Sequence, residues 1–214
     1  MDPNRSAEIT DLGDLARDAL ETEHKAREIT LSASRRAIRS CANAIRAVHR
    51  RQFDDARTLI ADAGALLAEA DAARDGQGAG NSGSLYDAKK EFAEANLTLA
   101  FVSGEPVPRP DALGVSVPAY LNGMAEAASE LRRQALDCLR RDEVTEAESL
   151  LAVMDDAYGL LVTIDYPEAL TGGLRRSTDA LRAVVERTRG DVTNALVAGR
   201  VRDALEGGAG GRSG

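Results

Sequence analysis

The stretch VPAYLNGMAEAASELRRQALDCLR, residues 117–140, decides the fold class. Tyr120, Leu121, Met124, Ala128, Leu131 and Leu139 fall at helical spacing and form one apolar stripe. Pro118 suits the first turn of a helix, where its missing N–H costs nothing. The same spacing recurs along the chain. A first long helix is expected from Ala7 to His49, broken or frayed near Gly13, with Leu31, Ile38, Cys41, Ile45 and Val48 inward. A second covers Phe53 to Arg74, burying Ala56, Leu59, Ile60, Ala63, Leu66 and Leu67. A third runs from Ser84 to Ser103, and a fifth from Val144 to Ile164 with Ala147, Leu150, Leu151, Met154, Tyr158 and Leu161 inward. Asp165-Tyr166-Pro167 interrupts the chain, and a last helix covers Gly173 to Leu205. No strand-like alternation and no repeat is present, so the expected fold is all-α, a bundle of six to seven antiparallel helices.

Between these elements, Gly76–Gly83 is glycine-rich and Gly104–Pro110 holds three prolines, which read as a flexible loop and an extended connection. The length of 214 residues fits one domain, expected over 1–206, with a disordered glycine-rich tail at 207–214. The hydrophobic fraction of 43% suffices for a core, while aromatics are only 3% of residues and tryptophan is absent. Lysine is confined to Lys25, Lys89 and Lys90, and the net charge is −8, which fits a salt-loving cytosol or a GC-rich genome. A net negative chain repels nucleic acid on average, so any polyanion site must be a local basic patch. Cys41 and Cys138 lie singly on apolar stripes, as small buried hydrophobes do. The acidic, polar start Met1-Asp2-Pro3-Asn4 is no signal peptide, and no apolar run spans a bilayer; a cytoplasmic protein with no membrane contact is expected.

The third helix carries Lys90-Glu91-Phe92-Ala93-Glu94-Ala95-Asn96. Glu91 and Glu94, three residues apart, share one helix face with Cβ atoms about 5–6 Å apart. Counting residues from the helix ends sets Glu126 and Glu130 of the fourth helix level with this pair, and Asp155 and Asp156 of the fifth level with Glu130. One layer thus gathers Glu91, Glu94, Glu130 and Asp156 with Asp155. An all-carboxylate set suits a hard ion, Mg²⁺ or Mn²⁺. The competing reading leaves these acids solvated, paired with Lys89, Lys90, Arg132 or Arg133.

On the first helix Arg35, Arg39, Arg46, His49 and Arg50 fall within a sector of roughly 100°. Five donors along one face can track phosphates; the alternative pairs them with Asp54, Asp55 or acids of a partner chain. The scarcity of aromatics argues against base stacking. His24 and His49 are the only histidines, and no GxSxG, GxGxxG or P-loop pattern is present.

At these residues the chain resembles the translin family, and within it the translin-associated factor X (TRAX) type. Three blocks carry the likeness: Ala26–Thr30 with Ser34–Ile38 and His49-Arg50; Glu91–Ala95; and Tyr120–Met124 followed by Ser129–Arg133. The likeness extends from residue 15 to residue 203. The resemblance implies a seven-helix fold that closes into barrel-like homo-oligomers, commonly octamers, holding RNA or single-stranded DNA. TRAX-type subunits are metal-dependent endoribonucleases, whereas translin subunits bind without cutting, which is the alternative for this chain. The resemblance assigns catalysis to Glu91, Glu94 and Asp156 and matches Glu130 to a glutamate of structural role; the shared layer adds Glu130 as a metal ligand, and the arginine-rich first helix is expected on the nucleic acid. The chain departs from the family in its few aromatics and its glycine-rich loop.

Overall fold

A computed structural model describes residues 3–74 and 83–210, and among these residues all regular structure is helical. Seven helices follow one another: α1 (Pro3–His49), α2 (Phe53–Arg74), α3 (Gly83–Ser103), α4 (Val117–Arg140), α5 (Val144–Leu161), α6 (Glu168–Thr171) and α7 (Leu174–Gly210). The bundle is therefore the one expected. No described helix is long and apolar enough to cross a membrane.

Four details differ from the expected elements. α1 passes unbroken through Gly13, because one glycine costs only about 1 kcal/mol among strong helix formers. α5 stops at Leu161, three residues early, and the short α6 follows Pro167. Gly172 and Gly173, at φ of 59° and 89°, then turn the chain into α7. The last helix reaches Gly210 rather than Leu205. Residues 211–214 of the expected tail lie outside the described residues, as does most of the expected loop at 76–83.

α1 packs on α2 and α3, α3 on α4, and α4 on α5 and α7, so α4 runs through the middle of the bundle. The inward stripes of α2, α4 and α5 are largely those expected, but much of the α1 face is alanine: Ala33, Ala37, Ala44 and Ala47 are fully covered. Small side chains let helix axes approach closely. One close approach is at Gly123 of α4. A methyl group there would stand 2.7 Å from the Lys90 carbonyl oxygen and 2.9 Å from the Ala93 methyl, both on α3. Asn122, beside it, donates to the Thr171 carbonyl at 2.8 Å and accepts from Ser177 Oγ at 2.7 Å, tying α4 to α6 and α7.

Two turns at one end of the bundle close in the same way. After α1, Gln52 N–H donates to Ala47 O and Arg51 N–H to Val48 O; after α4, Glu143 N–H donates to Cys138 O and Asp142 N–H to Leu139 O. Both are Schellman closures, with Arg51 (φ 58°) and Asp142 (φ 60°) in the left-handed position that glycine usually takes.

The ends of α1 and α7 stand clear of the bundle. Ile9, Leu12, Leu15 and Leu20 on α1, and Val197, Val201 and Leu205 on α7, are exposed.

Gly123→Ala gains about 1 kcal/mol in helix propensity but drives a methyl into α3 backbone, where overpacking costs about 1–3 kcal/mol. The expected net effect is a lower midpoint in urea denaturation; an unchanged or higher midpoint contradicts the close crossing.

Candidate metal centre

Ala88, Phe92, Ala95 and Leu99 of α3 are buried, which leaves Glu91 and Glu94 on the flank turned to α4. On α4, Glu126 follows Gly123 by three residues, nearly one helical turn, so it rises over the point where the two helices touch. Oxygens of Glu91, Glu94 and Glu126 all lie within 4.8 Å of one another. Glu94 is the deepest, with 8% of its surface exposed, and Glu91 and Glu126 are partly buried.

The electrostatics follow from that geometry. Burial, then repulsion from Glu91, Glu126 and Glu130, pushes the Glu94 carboxyl up to about 9. Burial also raises Glu91, with Lys90 opposing and Glu126 adding to the rise. Lys90 donates to Glu126 Oε1 at 2.6 Å and lies 3.7 Å from Glu91 Oε1. Burial disfavours its charge, but the hydrogen bond and charge of Glu126 outweigh burial and hold its pKa above the ordinary value. The Cys41 thiol is pushed up to about 12 by burial and by both α3 glutamates, so it is a protonated hydrophobe beside the cluster and not a thiolate ligand.

The expected acids divide. Glu91 and Glu94 are brought together as the sequence suggests. Glu130 lies close enough to raise Glu94, but its Oε2 is 2.8 Å from His49 Nε2, and that contact holds its pKa low. It is outside the group of three. Asp156 is exposed on α5, a helix packed mainly on α4 and α7, and Asp155 pairs with Arg189 of α7. Glu126 holds the third corner in their place. Level-matching gives height along a helix and not rotation about it, and α5 occupies a different side of α4 from α3.

The basic stripe also divides. Arg35, Arg39, Arg46 and Arg50 are exposed, and among the described residues none lies within ion-pair distance of an acid. Arg46 donates to Asn43 Oδ1 and Arg50 to Gln52 Oε1, both neutral partners. His49 is not on this face: its side chain is 4% exposed and turned in to Glu130.

Three carboxylates around one point, all oxygen donors and one of them buried, fit a hard divalent cation. The set lacks the nitrogen or sulfur donors that select zinc in structural sites. A proton on Glu94 and the Lys90 ammonium offset part of the charge of the three carboxylates.

No profile of a known family matches the chain. An uncharacterized protein of Methanocaldococcus jannaschii is 27% identical over 200 residues, covering 87% of this chain and 84% of that protein. Among solved structures, AfC3PO in complex with duplex RNA superposes with a TM-score of 0.79 at 31% identity, over 86% of this chain and 96% of that one. AfC3PO in a further crystal structure gives 0.78 at 31% identity, covering 86% and 97%. Apo-NeC3PO gives 0.75 at 19% identity, over 91% and 98%, a likeness of fold alone.

The raised Glu94 sets the sign of a pH effect. The folded state holds its proton at pH values where the unfolded chain has lost it, so without divalent ion stability falls as pH climbs from the ordinary carboxylate range toward about 9. Urea melts across that range in chelator are expected to show the fall, and Glu94→Gln to flatten it. Added Mg²⁺ or Mn²⁺ should offset it in the parent protein, because binding displaces the proton.

Proposed function

The chain belongs to the C3PO family of translin-type proteins, and from that premise we propose that it is an RNA-binding oligomer that cleaves RNA at Glu91, Glu94 and Glu126. The carboxylate triad is the observation that carries the reading. It supports the TRAX-type role over the translin-type one, with Glu126 taking the part that the sequence likeness gives to Asp156.

Mg²⁺ or Mn²⁺ held by the three carboxylates would polarise a phosphodiester and lower the pKa of an attacking water. Glu94 would lose its proton to serve as the buried anchor, and Glu91 and Glu126 would complete the set from α3 and α4. Lys90 keeps a positive charge beside the reacting phosphate. Attack of water at phosphorus with departure of the 3′ oxygen leaves a 5′-phosphate on one product and a 3′-hydroxyl on the other. Arg35, Arg39, Arg46 and Arg50, exposed and without acid partners among the described residues, hold the backbone with little regard to sequence. The duplex RNA bound by AfC3PO supports the ligand class.

The projecting ends of α1 and α7 support assembly into a closed homo-oligomer. Their exposed leucines, valines and isoleucine are an unpartnered apolar surface that further copies of the chain would cover.

Glu126→Gln is expected to slow Mg²⁺-dependent cleavage of a single-stranded RNA by 100-fold or more, while Asp156→Asn stays within about twofold of the parent; removal of a catalytic group typically costs that much. The reverse pattern returns the site to α5. Equal RNA binding with no metal-dependent product in the parent protein would make it a translin-like binder.

Charge reversal of Arg35 and Arg39 to Glu is expected to weaken RNA binding in chelator. Each lost phosphate contact should shrink the slope of log K against log salt by about 0.7 for a single strand. A slope unchanged by the double variant removes α1 from the interface.

A further inference from the structure

Beyond the carboxylate centre, a second constellation lies where the two Schellman turns meet. A pocket of about 320 Å³ is lined by His49, Arg50 and Arg51 at the end of α1, and by Gln134, Arg141 and Glu143 around the end of α4. Three arginines and one glutamate line it. Glu143 binds Arg141 at 2.8 Å and 3.0 Å. Arg51 lies a loose 3.8 Å from Glu146, and Arg50 has only the neutral Gln52. The lining therefore carries a formal surplus of two positive charges.

Among the described residues, two buried polar atoms there have no partner, His49 Nδ1 and Gln134 Oε1. The His49 side chain is 4% exposed and Gln134 2%. Burying a polar group without a partner costs about 1–3 kcal/mol, so two in one pocket mark an incomplete hydrogen-bond set. Helix dipoles contribute little either way, because each turn sets a C-terminus beside the N-terminus of the next helix.

We infer that this pocket is a subsite for the terminal phosphate monoester of an RNA strand. A monoester carries a charge of about −1.5 to −2, which matches the surplus of two, and it presents three oxygens for guanidinium donors. Its protonated form also has an O–H for Gln134 Oε1, which a backbone phosphodiester lacks. The imidazole, held by Glu130 at Nε2, offers Nδ1 from the side opposite its anchor. Gln134 lies eight residues beyond Glu126 on α4, about 12 Å along the helix. A strand end seated here thus lies a few nucleotides from the carboxylate centre. The inference rests on the RNA-binding reading but not on cleavage.

The test uses the full-length oligomer in EDTA, so that no strand is cut. One short RNA is prepared with a 5′-phosphate, with a 3′-phosphate and with neither. Binding of one phosphorylated form is expected to be at least tenfold tighter than of the unphosphorylated one, the effect of about one charge-assisted hydrogen bond. Which end gains identifies the strand polarity in the site. The double variant Arg51→Gln, Arg141→Gln should abolish that preference and leave affinity for the unphosphorylated RNA within about twofold. Equal affinity of the parent for all three forms overturns the inference, as does a variant that weakens all three alike, which would mean a backbone contact.

A measurement on the unmutated protein stands beside it. His24 and His49 are the only histidines, so ¹³C-histidine spectra contain two ring signals. Inorganic phosphate should shift the His49 signal saturably and leave that of exposed His24 in place; no selective shift overturns the inference. Failure here leaves metal-dependent cleavage untouched, and failure of Glu126→Gln to slow cleavage leaves the end preference untouched.

Discussion

The contact of Gly123 with the α3 backbone is the constraint from which the rest of the molecule follows. With no side chain in the way, α4 lies directly on the Lys90 carbonyl and the Ala93 methyl. Glu94 is the next residue after Ala93, and Glu126 stands nearly one turn beyond Gly123. The helix spacing therefore dictates that carboxylates from two helices meet. A bulkier residue would lift α4 away, opening the triad and letting water into the space around Glu94.

That closeness has an electrostatic cost. Three carboxylates within 4.8 Å of one another would repel strongly in a partly dry setting. The protein offsets the repulsion in two ways: Glu94 keeps its proton, and Lys90 places an ammonium on Glu126 and near Glu91. A divalent cation could replace the proton and relieve the repulsion together. Glu130 shows the contrast, because one turn further along α4 a histidine satisfies it and its pKa is low.

Much of this was legible in the chain. Apolar stripes located the helices, and the i, i+3 spacing of Glu91 and Glu94 located half of the centre, because both features belong to a single helix. The other half depends on how helices are rotated against each other. Asp156 and Glu126 both fall near the right height, and what separates them is that α5 packs mainly on α4 and α7 and leaves Asp156 exposed. Gly123, three residues before Glu126, was the available signal, since a glycine inside a helix marks a close approach. His49 was misplaced for a related reason. It sits at the edge of the arginine sector, 100° from Arg50, and a small rotation of α1 carries it from the solvent face to Glu130. The alanine face of α1 and the four-residue α6 leave little trace in hydrophobic periodicity.

Along α4, Glu126, Glu130 and Gln134 recur every four residues, and the three side chains do different work. The first completes the carboxylate centre, the second fixes one edge of His49, and the third borders the basic pocket whose other wall is the end of α1. His49 thus contacts the acidic side through Nε2 and borders the basic side, although α1 and α4 are separated by much of the sequence. The imidazole is a spacer between two sites of opposite charge, and its bond to Glu130 keeps that carboxylate from joining the cluster. A fourth free carboxylate would deepen the repulsion around Glu94, whereas a bound one leaves the triad with a defined number of ligands. The same hydrogen bond therefore limits the carboxylate cluster and orients the ring that borders the arginines.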